Sequence, residues 1–82
     1  MSDTFTLRIN SPEELIWEGE AVSVSSVNSQ GPFDVLAFHA NFISIIENQP
    51  IRVNTGREVK EYTFERSVLY VHSNKVYIYT HI

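Results

Sequence analysis

Ser67-Val68-Leu69-Tyr70-Val71-His72-Ser73-Asn74-Lys75-Val76-Tyr77-Ile78-Tyr79-Thr80 is the stretch that decides the fold class. Two runs rich in β-branched and aromatic residues flank the dipeptide Ser73-Asn74. Such side chains suit a pleated surface, where their restricted χ1 costs little. A two-residue connection between them reads as a tight hairpin. This loop sets His72 opposite Lys75, so Leu69 and Val71 face Ile78 and Val76 on one apolar side. The other side carries Val68, Tyr70 and His72 against Tyr79, Tyr77 and Lys75. Cross-strand tyrosine pairs stabilise an exposed sheet face. The stripe Tyr70, Tyr77 and Tyr79 is also a candidate aromatic interface, because tyrosine joins apolar area to a polar tip.

The rest of the chain repeats the pattern. Phe5, Leu7 and Ile9 alternate with Thr4, Thr6, Arg8 and Asn10, which predicts a strand with one buried face. Val22 and Val24 alternate with Ser23 and Ser25, and the slip at Ser26-Val27 predicts a bulge. Phe33 to Phe38 and Phe42 to Ile46 are apolar on both faces, so both segments are expected to be covered on both sides. Pro50 opens a strand through Ile51 and Val53, where a missing N–H is tolerated. Asn54-Thr55-Gly56-Arg57 turns it into a partner from Glu58 to Glu65. Ser11-Pro12-Glu13-Glu14 carries helix-start chemistry, but Gly19 would close the helix after too few residues for stability. A turn at Ser11 to Glu13 and a strand from Glu14 to Glu18 are expected instead.

Composition agrees with these local readings. Val and Ile number 17 and Ala and Leu only 7, the reverse of what a helical domain of this size uses. Turn residues recur at short intervals, as in antiparallel sandwiches and barrels. The expectation is an all-β fold, an antiparallel β-sandwich of about eight to ten short strands in two sheets. An 82-residue chain has apolar surface for one core, so residues 1–82 form a single domain. Six Lys+Arg against ten Asp+Glu give a net charge of −4, which disfavours nucleic acid as the partner. Residues 1–41 hold six of the acids and one base, Arg8: a solvated face, or one that steers a basic partner. No apolar run is long enough to span a membrane, and Met1-Ser2-Asp3-Thr4 does not open like a secretory signal. The absence of cysteine removes disulfides and thiolate chemistry, and an intracellular chain is expected.

Reactive constellations are hard to assemble from what remains. His39, His72 and His81 could in principle share a metal, but the hairpin pairing holds His72 and His81 at opposite ends of its strands. Gly31 is isolated and followed by Pro32, so no phosphate cradle forms. Glu13 and Glu14 are adjacent and point to opposite sides of a strand, unlike a glycosidase pair. No catalytic residue, metal or cofactor is expected. The reading is a binding or structural module, not an enzyme.

The order of motifs resembles a known family. Leu7-Arg8-Ile9-Asn10-Ser11-Pro12 leads into Leu15-Ile16-Trp17-Glu18-Gly19-Glu20-Ala21-Val22-Ser23-Val24. Next comes Gly31-Pro32-Phe33-Asp34-Val35-Leu36-Ala37-Phe38-His39-Ala40-Asn41-Phe42-Ile43-Ser44, and then Pro50-Ile51-Arg52-Val53. Val68-Leu69-Tyr70-Val71 and Asn74-Lys75-Val76-Tyr77-Ile78 close the series. From Leu7 to Tyr79 the chain resembles the N-terminal β-sandwich of the epsilon subunit of F-type ATP synthases, called delta in mitochondria. It departs from the family at Asp34, Ala37, Phe38 and Asn41, where Gly, Pro, Gly and Pro are usual. Arg66-Ser67 likewise replaces a glycine pair. Loss of glycine removes freedom at positive φ, so the loop before His39 is expected to take another path.

The resemblance implies a non-catalytic central-stalk, or rotor, subunit that clamps the gamma subunit to the membrane c-ring and couples ion flow to ATP synthesis. By position it implies gamma contacts at Ser11, His39 and Ser44, and c-ring contacts at Gln30, Gly31 and Pro32. For a bacterial source it implies a peripheral location on the cytoplasmic face of the energy-transducing membrane. The family's C-terminal helical hairpin has no counterpart before Ile82. If the chain is complete, inhibition of ATP hydrolysis and nucleotide sensing are expected to be absent. The alternative is a free-standing sandwich that binds a carbohydrate or protein ligand.

Overall fold

The computed structural model describes residues 3–81, so the reading of Met1 and Ser2 as part of a non-secretory start lies outside it. Nine strands form, and no helix appears among the described residues. They are β1 (Phe5–Asn10), β2 (Leu15–Ala21), β3 (Ser23–Asn28), β4 (Gly31–Leu36), β5 (Phe42–Glu47), β6 (Pro50–Asn54), β7 (Val59–Thr63), β8 (Arg66–His72) and β9 (Lys75–Thr80). One sheet has the order β2-β1-β9-β8-β5 and the other β4-β3-β6-β7. The expected all-β sandwich is what forms.

Alternating residues from both sheets fill the space between them. Phe5, Leu7 and Ile9 of β1 are buried, as are Leu69 and Val71 of β8 and Val76 and Ile78 of β9. From the other sheet come Val24, Val35, Ile51 and Val53. Removal of this apolar surface from water is the main term holding the layers together. The deciding hairpin forms in the expected register, with His72 opposite Lys75 and Tyr70 opposite Tyr77. Ser73 and Asn74 take φ of 51° and 60°, the double left-handed geometry of a type I′ turn, which matches strand twist. At the other predicted turn, Thr55 Oγ1 accepts from the amides of Arg57 and Glu58 while Gly56 takes φ +90°.

Four features depart from the sequence reading. The sheet closes with a parallel pair, β1 beside β9, where antiparallel pairing throughout was expected. Each chain terminus supplies one of these strands, so no local turn could reveal the pairing. The bulge expected at Ser26-Val27 is not there, since β3 pairs with β4 in unbroken register. Instead Ser26 points inward and donates to the Pro50 carbonyl at 2.9 Å, while Val27 turns outward. A hydroxyl on the core side is tolerated when a backbone acceptor meets it. The register shift lies between Ile9 and Asn10, opposite β2.

Finally, β4 and β5 are not covered on both sides. Leu36 is 58% exposed and Ile43 68%, because the sandwich has two layers and each strand has only one neighbouring sheet to pack against. The Ser11 segment forms the expected turn. Ser11 Oγ accepts from the amides of Glu13 and Glu14, and a strand, not a helix, follows from Leu15 to Ala21. Within that strand Trp17 lies over Gly19, with ring carbons 2.8 Å from where a Cβ would stand.

Candidate interaction surface

The two outer faces of the sandwich differ in chemistry. On the four-stranded sheet the outer face presents Ser23, Ser25, Asp34, Arg52 and Glu61 over most of its area, with two separated apolar side chains, Leu36 and Val59, on its edge strands. Ser25 donates to Asp34, and the Arg52 guanidinium meets the Glu61 carboxylate at 3.0 Å. Exposed pairs of this kind keep a face wetted and add little stability. On the five-stranded sheet, β1 and β2 are similarly polar, with Arg8 3.9 Å from Glu18 and both Thr4 and Thr6 donating to Glu20.

Across β9, β8 and β5 that polarity stops. Tyr70 stacks on Tyr77 with ring centroids 6.2 Å apart, and Tyr77 on Tyr79 at 6.3 Å. His72 stacks on Tyr70 at 5.9 Å, so one ladder of four rings runs over the outer face of the hairpin. Its geometry follows from the register: Tyr70 and Tyr77 are directly opposed, and Tyr79 and His72 are each two residues further along their strands. Next to the ladder, pairing of β5 with β8 places Ile43 beside Tyr70 and Ile45 beside Val68. Ile45 is 47% exposed and Tyr79 44%, so Ile43, Ile45, Val68, Tyr70 and Tyr79 make a continuous apolar and aromatic face. The predicted tyrosine stripe is therefore present and is wider than predicted. The signal for Ile43 and Ile45 was in the two-faced apolar run of β5, but only tertiary pairing sets that strand beside β8.

The remaining candidate residues lie at three places. Ser11 caps the turn after β1, at the end of the sandwich opposite His39. His39 sits in the loop before β5. Its Nδ1 lies 2.7 Å from the Ala40 carbonyl, and its ring meets Phe42 edge-on at 5.6 Å. Ser44 is 8% exposed on the inner side of β5, where its hydroxyl accepts from Asn28 Nδ2 at 3.0 Å. In sheet order β9 and β8 separate β1 from β5, so Ser11 stands apart from the other two.

Gln30 lies in the β3–β4 turn, where its amide donates to Asn28 Oδ1 at 2.8 Å. Gly31 follows with φ +117°, a conformation that strains any side chain. Pro32 is the second residue of the edge strand β4 and stands opposite Val27. An edge strand can lack that N–H without losing a ladder bond. The structure brings Gln30 and Ser44 together: with Asn28, Ser29, Ile43 and Ile45 they line an open groove of about 590 Å³.

The loop before His39 keeps a glycine-like bend despite the missing glycine. Phe38 takes φ 62°, its ring is 71% exposed, and its amide donates to Asn74 Oδ1 at 2.7 Å. Asn74 Nδ2 in turn donates to the Thr4 carbonyl, tying the loop to the hairpin turn. A bulky residue held left-handed costs about 1–2 kcal/mol. Phe38→Gly is expected to recover about 1 kcal/mol, read as a higher urea midpoint at unchanged slope.

No cluster of three or more His, Asp or Glu side chains suited to a metal ion occurs among the described residues. No helix among them is long and apolar enough to cross a membrane.

Comparison with known proteins matches this geometry to a family. Residues 4–81 match the model of the ATP synthase delta/epsilon chain β-sandwich domain. The ATP synthase epsilon chain of Clostridium novyi is 31% identical over 80 residues, covering 95% of this chain and 60% of that protein. That of Desulfitobacterium hafniense is 36% identical over 78 residues, covering 95% of this chain and 59% of that protein. The chain thus spans about 60% of the length of these relatives. Among solved structures, a chain in the Euglena gracilis mitochondrial ATP synthase OSCP/F1/c-ring assembly aligns with TM-score 0.87 at 18% identity, covering 98% of this chain and 52% of that one. A chain in the central stalk/c-ring structure of Tetrahymena thermophila mitochondrial ATP synthase aligns with TM-score 0.82 at 10% identity, covering 100% and 67%. With nearly its whole length matched, the chain belongs to the ATP synthase delta/epsilon family, as its β-sandwich domain.

Proposed function

We propose that this protein is a non-catalytic central-stalk subunit of an F-type ATP synthase, holding gamma against the c-ring so that the parts turn as one. The family match carries this reading, and the asymmetry of the two outer faces supports it. A torque-bearing part needs a stiff body and extended contacts. Two hydrogen-bonded sheets supply the first, and a face with one wetted half and one aromatic half supplies the second.

Gamma meets the β5 side of the domain, through His39 and the face of Tyr70, Tyr77 and Tyr79. Ser44, buried on the inner side and bonded to Asn28, supports this contact by fixing β5 in place. Ser11, at the far end of β1, reaches gamma only if gamma extends along the sandwich. The exposed turn at Gln30, Gly31 and Pro32 meets the polar loops of the c-ring, a contact without formal charge on this side. The domain is then peripheral to the membrane, held there through its partners, and in a bacterium it faces the cytoplasm.

Co-purification with tagged gamma tests the assignment. Retention of the wild-type chain is expected, with binding lowered about tenfold or more when Tyr70, Tyr77 and Tyr79 are all changed to Ala, since buried interface tyrosines dominate such contacts. Absence of wild-type retention overturns the stalk reading. Wild-type retention that the triple variant leaves unchanged overturns the tyrosine face as the contact.

A further inference from the structure

We propose that β5 is an open sheet edge that pairs, antiparallel and about a twofold axis through Ser44, with β5 of a second copy of this chain. The four strand edges of the sandwich are not equally protected. β2 carries Glu18 and Glu20 and sits on an irregular register, β4 carries Pro32 and Asp34, and β7 carries Lys60 and Glu61. Charges, proline and irregular register are the devices that stop edges from pairing with other chains. β5 reads Phe42-Ile43-Ser44-Ile45-Ile46-Glu47, with one charge at its end and no proline. Its ladder with β8 runs through all six residues without a shift. Among the described residues, the backbone hydrogen bonds outside the ladders involve none of these six, so alternate amides and carbonyls along the open side have no backbone partner.

The sequence of β5 favours itself as the occupant. Directly opposed residues of an antiparallel pair point to the same face, so self-pairing must centre on a residue. Centred on Ser44, the pairing sets Ile43 opposite Ile45 of the second copy, and this occurs twice on the outer face. It sets Phe42 opposite Ile46 twice on the inner side. Glu47 falls opposite Asn41 of the second copy, and since Glu47 pairs with Arg66 in its own sheet, no like charges meet. Centred on Ile45, the pairing would set Glu47 against Ile43 twice.

The favoured register covers two of the most exposed apolar side chains, Ile43 at 68% and Ile45 at 47%, and joins the two five-stranded sheets into one. A closed twofold contact of this kind stops at two copies, because each domain has one such edge. The inference does not rest on the stalk reading. If gamma takes this side of the domain, gamma and the second copy are alternative occupants.

The chain has no cysteine, so introduced thiols report the register directly. Sedimentation of the full 82-residue chain at submillimolar concentration is expected to show a monomer–dimer equilibrium, and Ile43→Lys and Ile45→Lys each to leave only monomer with an unchanged β-sheet spectrum. Under mild oxidation, Ser44→Cys is expected to give a linked dimer and Ile45→Cys alone not to. The double variant Ile43→Cys/Ile45→Cys reads the same register from the outer face, should burial of residue 44 hinder folding or oxidation. A chain that stays monomeric overturns the proposal. So does a dimer that survives both lysine variants, or one linked through Ile45→Cys but not through Ser44→Cys.

Discussion

Leu69→Ala is expected to lower the unfolding free energy by about 2–5 kcal/mol. Leu69 is fully buried in the middle of β8, paired with Ser44 on one side and Ile78 on the other. Truncation removes its transfer free energy and leaves a cavity between two hydrogen-bonded ladders that cannot collapse without breaking register. Typical stability of about 0.05–0.15 kcal/mol per residue implies about 4–12 kcal/mol for a chain of this length. One truncation therefore removes a large share of it, and a population of unfolded chain is expected at 37 °C. Urea unfolding followed by fluorescence of Trp17, the sole tryptophan, measures the loss. Ile43→Ala, at an exposed position on the next strand, serves as the control and should cost about 0.5 kcal/mol or less in dilute solution. Equal losses for the two variants would contradict the packing described.

The opposite sign is expected from Ser67→Ala combined with Thr80→Val. These residues face each other across β8 and β9, both essentially without solvent exposure. Neither hydroxyl has a hydrogen-bond partner. A buried polar group left unpaired costs about 1–3 kcal/mol, and Val replaces Thr with nearly the same shape. The double variant is expected to gain about 2 kcal/mol, which for a domain of this size raises Tm by about 8–16 °C. Calorimetry of the two single variants and the double separates the contributions. A fall in Tm for the double variant would mean that the hydroxyls bond to each other or to buried water, and that the pair is a stabilising element.

These two sites also show where the sequence was legible. The burial of Leu69 followed from alternation within a hairpin whose loop admits one register, so every face assignment in Ser67 to Thr80 followed from local chemistry. The same holds for Phe5, Leu7 and Ile9. Val27 misled because an apolar residue after two serines looks like a slip of phase. In fact Ser26 is on the core side, held by a carbonyl that belongs to β6, a strand more than twenty residues away along the chain. Phe38 depends on distant residues too: it stands at left-handed φ without being glycine, and its amide donates to the side chain of Asn74 in the hairpin turn.

Within the candidate surface, Tyr70, Tyr77 and Tyr79 were found from spacing alone, since one hairpin contains all three. Ile43 and Ile45 were not, because nothing local says that β5 joins β8 and forms an outer edge. Ser11 and His39 came by position within a resemblance, and the fold sets them at opposite ends of the sandwich.

Periodicity of side chains along a strand, and the chirality of a two-residue turn, act over a few residues, so the sequence by itself determined the strands, the hairpin register and the buried alternate positions. Which strands became neighbours, the parallel contact of β1 with β9, and which apolar faces stayed in water were decided only by the tertiary structure. A run such as Phe42 to Ile46 carries apolar groups on both sides, and whether the second side meets another layer depends on how many layers the whole chain can build. Here the described residues build two layers, and the outer side of β5 stays in water.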